Sequence, residues 1–127
     1  MSQLVVHSVS AIAAHEGPHT IPGIRFRPAR AALGVTAWGM NVIELDPHCE
    51  GYPEHDHNFD GQEEVYVVLA GRAALHAGEQ ILAMATGDLV RVPPEVTRKF
   101  VTAEEGVCLL AIGATPGQAY DPEAGVG

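Results

Sequence analysis

The sequence predicts a single all-β domain, built as an antiparallel sandwich or barrel. Short segments that are apolar throughout, or that alternate between apolar and polar residues, follow one another along most of the chain. They are rich in Val, Ile, Leu and aromatic residues, as strands are. Turn-forming Gly, Asp and Pro residues separate them at close intervals. The 127 residues and their 46% hydrophobic content suit one folded core.

One or two short helical turns are predicted near the N-terminus. Ser8 or Ser10 can cap a turn that stops at Gly17. Pro28 stands where a second short helix would begin, and Gly34 stands just past its end. Neither segment is long enough to form a core helix.

The predicted strands fill the middle of the chain. The segment EVYVVLA is apolar on both faces, which a sheet with one face in water would not require. A sheet that packs on a second sheet, and whose outer face is covered by a neighbouring chain, explains the pattern. We therefore predict a homodimer of one-domain chains, each with an extension at 1–34, a barrel core at about 35–113 and an irregular tail at 114–127. The strands are predicted at 35–45, 64–70, 72–77, 80–85, 88–92, 97–103 and 106–113.

Composition excludes several classes of partner. The formal charge is −9 with only seven Lys and Arg residues, so nucleic acid and anionic membranes, which require a basic surface, are poor candidates. No apolar run is long enough to span a membrane, and the N-terminus lacks the basic start of a signal peptide. We expect a cytoplasmic protein with reduced cysteines, since Cys49 and Cys108 are far apart in sequence.

Two histidines and two glutamates form the candidate metal site. His55 and His57 are two residues apart, so on a strand both imidazoles lie on one face. Glu63 or Glu64, at the start of the next strand, could supply a carboxylate. Two histidines and one carboxylate suit a divalent Fe, Mn, Zn or Ni ion and leave positions open. The alternative is that both histidines are solvated residues of a polar loop.

The residues around this pair resemble a known family. GYPEHDHNFDGQEEVYVVLAG, residues 51–71, is similar to the first motif of the cupins, in which a glycine, HxH, a glutamate and a second glycine occur in order. GDLVRVPPEVTRKFV, residues 87–101, is similar to the second. The resemblance covers residues 35–113 and implies a jelly-roll β-barrel, a habit of dimerisation, and a metal held by His55, His57 and Glu64.

The chain departs from the cupin pattern at several positions. Six residues separate His57 from Glu64, where cupins usually have three or four, which keeps Glu63 as an alternative ligand. Glu95 replaces a glycine of the second motif, and Thr102 replaces an asparagine. The largest departure concerns the fourth ligand, because Arg98 stands where metal cupins carry a histidine.

Arg98 bears directly on metal binding. Arginine cannot ligate a metal, and its charge about 4 Å from a divalent ion would cost about 8 kcal/mol at an effective dielectric constant of about 20. Arg98 could turn away from a three-ligand site, share an anion with the metal, pair with Glu64, or point into solvent beside Lys99. Without a metal it could hold an anionic ligand. Tyr66 shares its strand face with Glu64, where it could line a ligand pocket or pack in the core.

Two functions of different classes follow from this reasoning. In the first, the protein is a small metal-dependent enzyme that acts on an unidentified small molecule, as cupin dioxygenases and isomerases do. In the second, it is a metal-free cupin that binds a small anionic molecule through Arg98 as a sensor or carrier. A third reading is a barrel that serves only as a scaffold.

Overall fold

Strands are the main regular structure of the chain, as the sequence predicts. A computed structural model describes residues 3–122. The seven strands are β1 (Ile24–Arg27), β2 (Gly39–Leu45), β3 (Glu63–Ala77), β4 (Gln80–Ala85), β5 (Leu89–Val92), β6 (Arg98–Val101) and β7 (Val107–Ala114). A 3-10 turn at Val9–Ala11 and a short helix, α1 (Ala29–Leu33), precede β2 and confirm the predicted helical turns.

The long strand β3 belongs to two sheets and joins them into a jelly roll. Its first half pairs with β7 and β5, and the first sheet continues through β2 to β1. Its second half pairs with β4 and β6 in the second sheet. All of these pairings are antiparallel. The sequence predicts two strands here with a break at Gly71, but the strand is continuous, because a bulge and the positive φ of Gly71 bend it without ending it.

The core lies between the two sheets and follows strand alternation. On β3, the alternate residues Glu64, Tyr66 and Val68 are buried, while Val65 and Val67 face outward. The other buried apolar residues of the central cluster come from every strand except β1, with two from the loop before β3. Polar groups that share the inward face of β3 are therefore placed inside the barrel.

Strand β1 was not expected from the sequence. Its segment, IRFR, has two charged residues among four, yet Phe26 pairs with Ile43 of β2 and both face the interior. The charges are satisfied on the other face, where Arg27 donates to Glu44 at 2.9 Å. Arg27 also donates to the Ile12 carbonyl at 2.7 Å, which fastens the N-terminal segment to this sheet.

The end of the chain has little regular structure. No helix or strand follows Ala114 up to residue 122, and residues 123–127 of the predicted irregular tail lie outside the described part. The Arg30 guanidinium lies over the Tyr120 ring, 6.0 Å from its centre, and holds the tail against α1. Within residues 3–122, no helix has the length and apolar character that crossing a membrane requires.

Replacement of Gly71 by alanine is expected to destabilise the fold strongly. Gly71 has φ +79, and a Cβ there would clash with the backbone carbonyl of Gly106. Gly78 is the matched control, because it has φ +58 and a Cβ there would meet no atom within 4 Å. We expect Gly78→Ala to cost about 1 kcal/mol of unfolding free energy and Gly71→Ala at least about 1 kcal/mol more. Urea denaturation measures both, and equal losses would contradict the close packing at Gly71.

Candidate metal centre

The histidine pair lies on an extended segment that is held against the second cupin-like motif. The backbone of His55 exchanges two hydrogen bonds with Arg98, His55 N to Arg98 O at 3.1 Å and Arg98 N to His55 O at 2.9 Å. The His57 amide donates to the Pro94 carbonyl at 2.8 Å. Because the segment is extended, the two-residue spacing places both rings on one side, with centroids 5.2 Å apart.

Each imidazole is fixed by an acceptor at its Nδ1 atom. Nδ1 of His55 lies 2.9 Å from the Pro53 carbonyl oxygen, and Nδ1 of His57 lies 3.0 Å from an Asp60 carboxylate oxygen. Both partners only accept, so each Nδ1 carries the proton and donates. Gln62 donates to Asp60 at 2.9 Å and steadies that carboxylate. In the neutral rings, Nε2 therefore carries a free lone pair, as a metal-ligating histidine does.

The two Nε2 atoms point toward the buried carboxylate of Glu64. Nε2 of His57 lies 3.1 Å, and Nε2 of His55 lies 3.8 Å, from Glu64 Oε1. Each of the three residues offers one ligand atom, and these atoms lie within 4.8 Å of one another. Although the His57 contact is short, neither Nε2 atom has a hydrogen-bond partner among the residues that the structure describes.

This arrangement favours a positive charge among the three atoms. Two imidazole lone pairs and a carboxylate oxygen repel one another at these distances, and a proton or a metal ion between them removes that repulsion. Burial lowers the pKa of His57, but the Glu64 and Asp60 carboxylates outweigh burial and raise the pKa above its ordinary value. A proton and a divalent ion therefore compete for this imidazole, and the donor set fits either.

Arg98 points into the barrel and pairs with Glu64. Its side chain is fully buried, and Nη1 donates to Glu64 Oε1 at 2.6 Å. Nε donates to the Val96 carbonyl at 2.9 Å and Nη2 to the Pro93 carbonyl at 2.8 Å. Each guanidinium nitrogen thus has its own acceptor, so the side chain cannot turn outward without leaving buried groups unpaired. Among the orientations of Arg98 that the sequence leaves open, the structure has the one in which Arg98 pairs with Glu64.

Two tyrosines extend the polar network from Glu64. The Tyr66 hydroxyl donates to Glu64 Oε1 at 2.7 Å. Tyr52 hydrogen-bonds to Tyr66, and since the Tyr66 proton is committed to the carboxylate, Tyr52 is the donor in that bond. Burial raises the pKa of both phenols, so both hydroxyls stay protonated at neutral pH. Tyr66 is thus placed on the inward face beside the candidate ligands.

The two adjacent glutamates have different environments. Glu64 faces the interior, whereas Glu63 faces outward and pairs with Arg91 at 2.5 Å. Strand alternation decides this, since Glu64 shares the inward face of β3 with Tyr66 and Val68. Glu63 is not brought near the histidines.

Comparison with known proteins identifies the fold family. The family described as the Cupin domain matches residues 41–113, more than half of the chain. This chain belongs to the cupin family. An uncharacterized protein of Streptomyces coelicolor is 38% identical to this cupin over 55 residues, which are 43% of this chain and 52% of that protein. The match thus spans about half the length of that curated relative.

Solved structures agree with the cupin assignment. A sugar phosphate isomerase of the cupin superfamily from Silicibacter pomeroyi has a TM-score of 0.70 at 20% identity, over 86% of this chain and 75% of that one. A predicted oxalate decarboxylase from Thermotoga maritima has a TM-score of 0.69 at 17% identity, over 87% and 99% of the two chains. At these identities the likeness shows the fold alone.

Several residues of the site were not singled out in the sequence. Asp60, read only as part of a turn, orients the His57 ring, and the Pro53 carbonyl orients the His55 ring. Tyr52 was also missed, although it is buried between the site and the core, with its ring 5.9 Å from that of His55. The sequence offers one signal for Asp60, a carboxylate three residues after a candidate ligand. The positions of the Pro53 carbonyl and of Tyr52 depend on the path of the loop, which the sequence pattern does not indicate.

Proposed function

We propose that this cupin is a small metal-dependent enzyme that binds a divalent ion through His55, His57 and Glu64. The main support is the arrangement of the two buried Nε2 atoms of His55 and His57. Each Nδ1 donates to an acceptor, which leaves the Nε2 lone pair available, and both Nε2 atoms are directed at one oxygen of Glu64. A bound Fe, Mn, Zn or Ni ion would act as a Lewis acid toward an oxygen of a small-molecule substrate, as dioxygenase- or isomerase-like chemistry requires.

The chain's own residues shape this chemistry in two ways. Asp60 and the Pro53 carbonyl hold the two imidazoles in the ligating tautomer. Arg98 donates to Glu64 and adds positive charge beside the ion, so it weakens the site without supplying a ligand. A three-residue set also leaves positions at which a substrate can bind.

Metal content is the direct test of this proposal. Protein purified without a histidine tag should carry close to one divalent ion per chain by elemental analysis, and His55→Ala should lose it. His76→Ala is the matched control, because His76 lies on β3 opposite Lys99 and outside the candidate ligand set. Absence of metal from the wild-type protein, together with no binding on addition of Fe(II), Mn(II), Zn(II) or Ni(II), would overturn the proposal.

A second candidate function is favoured by the buried ion pair. Arg98 Nη1 lies only 2.6 Å from Glu64 Oε1, and a guanidinium so placed can balance the carboxylate without a metal. In this reading the protein is a metal-free sensor, carrier or scaffold, and a small anion binds through the N–H groups of Arg98 that remain. Chelators would then leave thermal stability unchanged, while Arg98→Ala would abolish stabilisation by added oxalate or phosphate.

We also propose that two copies of the chain pair through the outer face of the first sheet. The N-terminal segment and α1 cover this face over β2 and part of β7. Within residues 3–122, nothing covers the part over β3 and β5, where Leu89 is 69% exposed next to Val67. Beside it a depression of about 240 Å³ is lined in part by Trp38 and Ile112. When two copies pair about a two-fold axis, the projecting Leu89 of each copy can fill the depression of the other.

Sedimentation equilibrium tests the pairing. The wild-type protein should be a dimer at micromolar concentration, and Leu89→Arg should produce monomers. Ile81→Arg is the control, since Ile81 is 67% exposed on β4 in the other sheet. A wild-type protein that stays monomeric at high micromolar concentration would contradict the proposal. The predicted cytoplasmic location also stays a proposal, which cell fractionation would test.

A further inference from the structure

A cavity of about 370 Å³ opens beside the candidate metal centre. Ile24 and Phe26 of β1 and Ile43 of β2 form part of its wall, on the inward face of the first sheet. Its volume is in the range of small-molecule sites, about 300–1,000 Å³. The N-terminal segment closes one side and is tied in place where the His15 amide donates to the Phe26 carbonyl at 2.7 Å. The cavity is therefore preformed.

The cavity and the metal centre share two consecutive residues. Tyr52 and Pro53 line the cavity. The same Pro53 carbonyl orients His55, and the Tyr52 ring lies 5.9 Å from the His55 ring. The Tyr52 hydroxyl is also linked through Tyr66 to Glu64. A molecule in the cavity would therefore lie against the residues that position the candidate ligands.

The cavity wall is chemically unlike a site for a charged metabolite. Of the described residues, none that lines it is Arg, Lys, Asp or Glu, and its polar side chains are those of His15, His19, Thr20 and Tyr52. The buried guanidinium of Arg98 is not among the lining residues, and it donates to Glu64 and to two backbone carbonyls. Desolvating a phosphate or dicarboxylate without a cationic partner is costly, and the net charge of −9 opposes the approach of anions.

We infer that this cavity binds a neutral, largely apolar molecule, of the size and chemistry of an alkylphenol or a bicyclic aromatic, and that this is the substrate class of the protein. The assignment of the bound molecule as substrate rests on the proposed metal-dependent function; its binding does not. Burial of its apolar surface against Ile24, Phe26 and Ile43 provides the affinity. The exposed His15 and His19 at the rim remain available to a single polar group of the ligand.

Binding of the neutral fluorophore prodan tests the inference in the full-length protein. Prodan should bind with a blue-shifted emission, and 4-hexylphenol should displace it, whereas glucose 6-phosphate and oxalate should not. Ile21→Trp fills the cavity from its wall and should weaken binding at least tenfold. Ile81→Trp, on the exposed face of β4, should change it less than twofold. Thr20→Trp, at the exposed rim, is a second cavity-filling variant should Ile21→Trp fail to fold.

Three results would overturn the inference. They are no binding of prodan or 4-hexylphenol, equal binding by wild type and by both cavity-filling variants, or displacement of prodan by glucose 6-phosphate or oxalate at matched concentrations. Elemental analysis of the same samples separates this outcome from that of the metal proposal. Ile21→Trp should retain metal while losing prodan, and His55→Ala should lose metal while retaining prodan.

Discussion

Replacement of Arg98 by methionine is expected to lower the free energy of unfolding by about 3–5 kcal/mol in the presence of a chelator. Methionine keeps most of the buried stem but removes the charge that balances Glu64. It also removes the donor that Arg98 supplies to the Val96 carbonyl, and it leaves the Pro93 carbonyl with the Val96 amide as its donor at 3.2 Å. A buried carboxylate that loses its guanidinium partner is costly, because its charge stays in a region of low dielectric constant without compensation. Urea denaturation with EDTA in the buffer measures the loss.

The exposed ion pair between Arg91 and Glu63 provides the control. Its side chains are 59% and 42% exposed, so Arg91→Met should cost less than about 1 kcal/mol. Adding Glu64→Gln to Arg98→Met removes the unbalanced charge and should recover at least half of the loss. If Arg98→Met and Arg91→Met cost the same, or the double variant is no more stable than Arg98→Met, the buried pair is not the stabilising element that its geometry indicates.

Replacement of Arg98 by histidine is expected to raise the affinity for Zn(II) or Ni(II) at least a hundredfold. The change removes a positive charge next to the candidate site and introduces an imidazole at the position where metal cupins carry their fourth ligand. A unit charge about 4 Å from a divalent ion costs about 8 kcal/mol at a dielectric constant of about 20. Glu64 offsets part of that cost, so we expect a gain of about 3 kcal/mol in the free energy of metal binding. Each 1.4 kcal/mol is a tenfold change in affinity, so this gain corresponds to about a hundredfold. Competition with a chromophoric chelator measures the gain.

Lys99→His is the matched control for this change. Lys99 is the next residue of β6, and its side chain lies on the opposite face from the fully buried Arg98 and Phe100. A histidine there should leave the metal affinity within twofold of wild type. An Arg98→His protein with wild-type affinity would indicate that the three candidate ligands do not form a metal site, and would favour the metal-free function.

The sequence predicts the fold well because the fold depends on simple alternation. Strand β3 illustrates this, since its alternate residues from Glu64 to Val68 are buried and the residues between them face outward. The same alternation separates Glu64 from Glu63. Strand β1 was missed because Arg25 and Arg27 hide its apolar face, and their partner Glu44 is distant in sequence.

The candidate site is less accessible to sequence reasoning because its polar groups depend on loops. The HxH spacing places two rings on one side of an extended segment, and Phe100 on the same face of β6 was a usable signal that Arg98 points inward. The acceptors at Pro53 and Asp60 depend on loop conformation, which no spacing rule describes. The apolar cavity could not be foreseen either, because its wall combines residues from the N-terminal segment, two strands and the loop before the histidines.

The double membership of β3 has a consequence for how the chain reaches its native state. Because β3 pairs with β7 and β5 in one half and with β4 and β6 in the other, neither sheet can be completed while this strand is unformed. Most of its partners are distant in the chain, so ordering it carries a large entropic cost before contacts compensate. Refolding is therefore expected to be slow, on the order of milliseconds to seconds, and all-or-none, with no stable half-barrel along the way.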